Sequence, residues 1–278
     1  MIAKSSPAKV NLHLRVLRRR EDGYHDILSL MQRISLSDEM TFAPREGGIR
    51  LRCPDSALPN DEGNIIYRAA AAFYARTGLP PGIEITIRKR IPIAAGLGGG
   101  SSNAATTLMT LNELSDHPLT REELMQMGTG LGADVPFFLF GNAAWASGIG
   151  DRLVEAPSLP PLWFVLINPG FAVSTKMVYR ELNLGLTNGS INYSIPRFYT
   201  VDDVIGGLTN DLEKVTLRQH PVLGHFKTLL LENGARGALM SGSGPTVFGL
   251  FADEESALLA EKNLRHGNRW SVFGAHSL

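Results

Sequence analysis

The segment "IPIAAGLGGGSSNAAT" (residues 91–106) limits this chain more than any other, because four of the six residues from Gly96 to Ser101 are glycine. Before it, "IEITIRK" places Ile83, Ile85 and Ile87 on one side, the period of a strand. After it, "NAATTLMTLNEL" is spaced as a helix. The arrangement is therefore strand, glycine loop, helix. Glycines admit positive φ and close approach, so successive N–H groups can converge on an anion. Ser101 and Ser102 can cap the helix that follows, whose N-terminal N–H groups and dipole attract phosphate. The loop is not a Walker loop, since Asn103 and alanines stand where lysine is needed, and Ser101 breaks the dinucleotide-binding pattern. A packing turn needs only one or two glycines, yet it remains an open alternative on this pattern.

The rest of the chain reads as mixed strands and helices. Val10, Leu12, Leu14 and Val16 alternate with Lys9, Asn11, His13 and Arg15, which predicts a strand with one apolar and one polar face. Asp22-Gly23 marks a turn. Leu28, Leu30, Ile34 and Leu36 predict a second strand, with "MTFAP" and "IRLRC" as further short ones. "NIIYRAAAAFYARTG" is a helix closed by Gly78, and Thr120 with Glu123 forms a capping box for another. In the second half, "LWFVLIN" is a buried strand, and "RGALM" and "TVFGLF" are a strand pair around "SGSGP". Helices are expected near 175–182, 201–206, 211–219, 222–234 and from Glu254, with a last strand at "WSVFGA". The class is α+β, with a domain boundary near residue 155 in "EAPSLPP".

Composition excludes several functions. Apolar residues make up 44% of the chain, enough for a core, and 27 basic residues balance 27 acidic ones. That balance gives no basic face for nucleic acid, and "RRR" at 18–20 is answered at once by Glu21 and Asp22. The single Cys53 excludes an internal disulfide and four-cysteine zinc sites, and the seven histidines lack metal-ligand spacing. No apolar run approaches a membrane span, and "MIAKSSPAKVNLHL" lacks the core of a signal peptide, so a soluble, cytoplasmic protein is expected.

Three polar features could carry chemistry. Asp134 in "GLGADVPFF" suits a general base, although an Asx turn or helix cap is the commoner use of such an aspartate. Lys9 and Asn11 share one face of the first strand and could enter a cleft, while a lysine facing water is the ordinary alternative. "SGSGP" (Ser241 to Pro245) is either a tight hairpin or a second nest of N–H groups.

Together, "PAKVNLHL", "GLGGGSSNAAT" and "SGSGPTVFGLF" resemble, in order and spacing, the three motifs of the GHMP small-molecule kinases. "EDGYHDI", "GADVPFFL" and "NDLEKV" (Asn210 to Val215) narrow the likeness to the branch that phosphorylates the tertiary 2-hydroxyl of a diphosphocytidyl-methylerythritol on the non-mevalonate route to isoprenoids. His13 departs from the more usual apolar or aromatic residue, and positions 185–200 carry no motif. The resemblance implies a two-domain fold, with a ribosomal-protein-S5-like N-terminal domain (1–155), a ferredoxin-like C-terminal domain (156–278) and the active site in the cleft between them. It implies Asp134 as base and Lys9 as its partner. ATP would be bound by Asn64 and Lys89, by Pro92, Ile93, Ala94, Ala95, Gly96, Leu97, Gly98, Gly99, Gly100, Ser101 and Ser102, and by Ser241, Gly242, Ser243 and Gly244. Tyr24, His25 and Tyr179 would hold the cytosine, with Asn11 and Thr175 near the rest of the acceptor. Mg²⁺ would bridge the phosphates, with no protein ligand assigned. The partners would be the two small molecules, with neither nucleic acid nor membrane, for a monomer or homodimer.

Overall fold

The computed structural model, which describes residues 1–156, 159–182, 194–265 and 269–278, opens with two long strands. β1 (Ile2–Arg19) and β2 (His25–Pro44) flank the turn at Asp22-Gly23, where Gly23 has φ +86°. The expected apolar face of β1 is buried, and so is most of the polar one: Lys9 is 4%, Asn11 3% and His13 8% exposed, whereas Arg15 is exposed. A lysine facing water is therefore ruled out. "MTFAP", expected as a separate strand, is the end of β2.

β3 (Gly48–Arg52) leads to α1 (Ile65–Thr77), which Asn64 caps and Gly78 ends in the left-handed region. β4 (Gly82–Arg88), α2 (Gly99–Leu114) and α3 (Arg121–Leu131) follow, the last with the expected Thr120–Glu123 capping box. Next come α4 (Val135–Phe140), β5 (Ala143–Gly148) and β6 (Arg152–Glu155), none of them evident from periodicity. The second half comprises β7 (Trp163–Asn168), α5 (Thr175–Glu181), α6 (Val201–Gly206), β8 (Thr209–Asn210), α7 (Glu213–Gln219), α8 (Val222–Glu232), β9 (Gly237–Met240), β10 (Val247–Phe251), α9 (Glu254–Arg265) and β11 (Ser271–His276). α7 begins later than the expected residue 211. Asp211 is occupied in accepting the Val16 N–H, and Asn210 Oδ1 accepts the Leu212 N–H. Of positions 185–200, those before 194 lie outside the described residues.

Two compact units emerge, each assembled from separate stretches: residues 1–8, 37–91 and 98–141, and residues 9–36, 92–97 and 142–278. This partition differs from a sequential one at 155/156, because β1 and β2 each contribute to both units.

In the first unit, β2 pairs antiparallel with β4 (Phe42↔Ile85) and β3 runs parallel to β4 (Ile49↔Ile83). α2 packs with α1, α3 and α4 over a core that includes Phe73, Leu108, Leu111 and Phe137. Beneath the helices lies a buried polar knot. Asp38, with no exposure, accepts from the backbone N–H groups of Arg90 (2.8 Å) and Ile91 (2.9 Å), from Asn103 Nδ2 (2.9 Å) and from Lys89 Nζ. Asn103 Nδ2 also reaches Ser6 Oγ (2.9 Å), which bonds Ser102 Oγ (2.9 Å).

In the second unit, β11-β7-β10-β9 form an antiparallel sheet. Chain order β–α–β–β–α–β with spatial order 4-1-3-2 is the ferredoxin-like arrangement, as expected. α8 and α9 cover this sheet around Val165, Ile167, Phe226, Leu230 and Ala260. Elsewhere in the unit β5 pairs with β2 and β6, and β8 runs parallel to β1 (Leu14↔Asn210).

Removing Asp38 would strand a buried ammonium and three further donors. Asp38→Ala should therefore cost about 3–5 kcal/mol, measured as the shift in free energy of urea unfolding. A loss below about 1 kcal/mol would show the ion pair to be dispensable.

Candidate active site

In the second unit the buried polar face of β1 meets two glycine-bearing segments. Lys9 Nζ donates to Asn11 Oδ1 at 2.5 Å, and Asn11 Nδ2 donates to Ser29 Oγ at 2.8 Å. Ser29 in turn donates to the His13 carbonyl (2.8 Å). Asn11 thus orients the lysine, and Ser29 orients Asn11. No sequence signal pointed to Ser29.

The segment Pro92–Leu97 crosses this face. The Lys9 N–H donates to the Leu97 carbonyl (2.9 Å), and the Thr246 N–H donates to the Ala95 carbonyl (3.3 Å). Ile93 is 52% exposed, Ala95 is buried, and Ala94 takes φ +52°, unusual for a residue with a Cβ. Gly96 has φ +77°, and a Cβ there would lie 2.2 Å from the Ser241 carbonyl oxygen. Ser241, with no exposure, donates its hydroxyl to the Gly96 carbonyl (2.9 Å) and accepts the Asn11 N–H (3.3 Å). Gly242 (φ +56°) and Gly244 (φ +85°) make the Ser241–Gly244 turn. Ser243 Oγ lies 2.7 Å from Thr175 Oγ1, at the start of the helix that carries Tyr179 one turn later.

The three residues expected to hold the cytosine differ in setting. Tyr24 is 61% exposed, whereas the His25 ring lies 5.1 Å from that of Tyr179, tilted by 32°. That is direct ring contact and leaves no room for a base between those two rings. Burial, with Arg19 nearby, holds the His25 imidazole below its ordinary pKa. His13 is also held below it, chiefly by burial, with its ring beside Trp145 (5.4 Å) and Phe198 (6.5 Å); the bond of its Nδ1 to the Gly207 carbonyl (2.9 Å) opposes that shift in part.

In the first unit the glycine run continues directly into α2. The helix starts at Gly99, with Gly98 (φ +68°) at the cap position and no side-chain cap. Ser101 and Ser102 therefore lie inside the first turn, and the expectation that they cap the helix is not met. Ser102 is fully buried against Ser6. With no side chain closing the helix, the Gly99–Ser101 N–H groups suit an anion. A Cβ on Gly132 would lie 3.8 Å from Ser101 Oγ, so the segment leading to Asp134 runs beside this turn. Asp134 occupies the cap position of α4 but makes no cap hydrogen bond, and it is half-buried.

Asn64 and Lys89, expected near adenine, are engaged within this unit. Asn64 Oδ1 caps α1 at the Ile66 N–H (3.0 Å) and its Nδ2 donates to the Pro59 carbonyl (2.8 Å). Lys89 pairs with Asp38 and donates to Asn103 Oδ1 (3.2 Å).

The pattern described as "GHMP kinases N terminal domain" matches residues 64–142, and "GHMP kinases C terminal" matches residues 201–268. A protein of Syntrophus aciditrophicus named 4-diphosphocytidyl-2-C-methyl-D-erythritol kinase is 58% identical over 278 residues, covering 100% of both chains. The chain belongs to the GHMP kinases. A protein of the same name from Syntrophotalea carbinolica is 53% identical over 96% of each chain. A crystal structure of 4-(cytidine 5'-diphospho)-2C-methyl-D-erythritol kinase, 36% identical, superposes with a TM-score of 0.82 over 100% of both chains. Homoserine kinase from Cytophaga hutchinsonii shares the fold (TM-score 0.72, 20% identity, 100% of this chain and 94% of that one).

Two outcomes follow from the geometry of this GHMP kinase. Gly96→Ala forces both a left-handed alanine and a collision with a backbone oxygen, so ATP affinity should fall at least about tenfold. Titration calorimetry giving wild-type affinity would show that the loop shifts freely. His13 binds its proton more readily unfolded than folded. Its burial is therefore harmless above its ordinary pKa of 6.5 and destabilises the fold as pH falls below that value. The urea midpoint of wild type should drop between pH 7.5 and 5.5 by more than that of His13→Phe. Equal drops would assign the pH dependence to other groups.

Proposed function

We propose that this chain transfers the γ-phosphoryl group of ATP to the 2-hydroxyl of 4-diphosphocytidyl-2-C-methyl-D-erythritol, giving the 2-phosphate, in non-mevalonate isoprenoid precursor biosynthesis. The observation that carries this reading is the 58% identity across all 278 residues with a protein of that name. The glycine cradle without a Walker lysine, the buried Lys9–Asn11 pair and an aspartate kept off its helix cap support it. A sister kinase of the homoserine or mevalonate type would share the fold, but it gives no reason for Tyr24 and His25 after β1.

In this reading Asp134 takes the proton from the 2-hydroxyl as its oxygen bonds to the γ-phosphorus and the bond to the β–γ bridging oxygen breaks, releasing ADP. Lys9, held by Asn11, offsets the charge that develops during transfer. The N–H groups from Gly96 to Ser101 hold the ATP phosphates. Among the described residues no three His, Cys, Asp or Glu side chains gather. Mg²⁺ would be held by phosphate oxygens, with no protein ligand assigned, and would supply neutralisation of the transferring group. His25, Tyr179 and Tyr24 take the cytosine once the His25–Tyr179 contact opens, and Thr175 lies toward the polyol. Among the described residues no helix is long and apolar enough to cross a membrane. A cytoplasmic monomer or homodimer acting on two small molecules is the corresponding proposal.

Asp134→Asn should lower turnover by about 10²–10⁴ while leaving ATP affinity near that of wild type, since a positioned base contributes about that much. A coupled ADP-release assay would check it; more than half of wild-type turnover would remove Asp134 from the role. The same assay should show no turnover with methylerythritol 4-phosphate, and equal rates on both acceptors would refute the substrate assignment.

A further inference from the structure

The motif "NDLEKV" contains no residue that the proposed mechanism uses, yet its first members are buried around the Ser241–Gly244 turn. Asn210 is 6% exposed. Its two amide hydrogens go to the carbonyls of Met240 and Gly242, both at 2.7 Å, and its Oδ1 accepts the Leu212 N–H at 3.0 Å. Glu213 Oε1 accepts the Met240 N–H (2.9 Å) while its other oxygen pairs with Lys227 (2.7 Å). Thr216 Oγ1, with no exposure, donates to the Ser243 carbonyl (3.2 Å).

The turn itself is made of small residues, two of them glycines at positive φ, and has no large side chain to lock it by packing. Its outer side carries two contacts the reaction depends on: Ser241 Oγ to the Gly96 carbonyl and Ser243 Oγ to Thr175. Its inner side is gripped at residues 240, 242 and 243 by Asn210, Glu213 and Thr216. Only a primary amide supplies two donors and an acceptor in that one plane. A carboxylate would repel both carbonyls, and an apolar side chain would leave them unpaired.

We propose that Asn210 is a positioning residue for phosphoryl transfer, with Thr216 as its helper. By fixing the Ser241–Gly244 turn, it sets the phosphate segment at Gly96 and the acceptor-side helix at Thr175 relative to each other. The assignment rests on the functional reading above. It predicts that loss of the amide misaligns the two substrates, so that turnover suffers more than binding, as a displacement of about 1 Å can cost 10²-fold.

The test compares Asn210→Leu, Thr216→Val and the core variant Leu230→Ala with wild type. For each, kcat and both KM values are measured at a temperature where circular dichroism shows the variant folded. Asn210→Leu should lower kcat by about 10–100-fold with both KM values changed less than about threefold, and Thr216→Val should lower kcat by about 3–10-fold. Leu230→Ala, which loosens the same unit, should keep kcat within about twofold. The proposal is overturned if folded Asn210→Leu keeps wild-type kcat, or if Leu230→Ala loses as much at equal loss of thermal midpoint. If Asn210→Leu fails to fold, Thr216→Val decides: an unchanged kcat overturns the proposal, and a loss in the stated range supports it. Wild-type turnover with the diphosphocytidyl acceptor is the separate control, and its failure would overturn the functional reading first.

Discussion

The hydroxyl of Ser241 bonded to the carbonyl of Gly96 is the contact on which the packing of β1, residues 95–97 and the Ser241–Gly244 turn depends. One buried oxygen joins segments that are far apart in sequence, because it also accepts the N–H of Asn11. The geometry tolerates no side chain at Gly96, since the Ser241 carbonyl already occupies the place of a Cβ. β1, residues 95–97 and the turn after β9 are thereby closely applied, and in the proposed function their backbone would be the binding surface. A lysine cradle tolerates small shifts because its side chain can adjust. A cradle of N–H groups cannot, so its conformation must be fixed from behind.

Buried polar residues do that fixing in both units. In one, Asp38 holds the backbone where the chain leaves β4 and, through Asn103, the second turn of the phosphate-side helix. In the other, Lys9, Asn11 and Ser29 form a chain of hydrogen bonds along neighbouring strands. Each group is satisfied, which is what makes its burial affordable. Such networks are poor sources of net stability compared with apolar packing. Their value here is geometric: they place an ammonium and several backbone donors within narrow limits.

Most regular elements were legible because they obey local rules. The alternation of Ile83, Ile85 and Ile87, the glycine at 78 and the box at Thr120 and Glu123 each follow from sequence alone. β5 and β6 were missed because "AAWASG" is small and unpatterned and "RLVE" is too short to show a period. The helix after the glycine run was read as starting too late. Serines usually cap, but here Gly98 occupies the cap position and Ser102 turns inward to Ser6. Burial of the polar face of β1 was also invisible, because alternation shows that a strand has two faces and says nothing of what covers the second. The motifs identified the family; they gave no role to Asn210, Asp38 or Ser29, most of whose partners lie 16 to 65 residues away.

The setting of Asp134 shows how local sequence can keep a carboxylate off a helix cap. An aspartate just before a helix usually accepts an N–H of the first turn, which binds its charge and fixes its rotamer. Here the helix that follows is six residues long and has Pro136 at its start, so one of the donors that would call for a cap is missing. The Val135 N–H instead finds the Gly132 carbonyl at 3.1 Å, and Asp134 takes a helical backbone conformation in which its side chain makes no cap bond. The "GADVP" signature is therefore a backbone instruction as much as a chemical one. Its proline and the Val135–Gly132 hydrogen bond dispense with a side-chain cap.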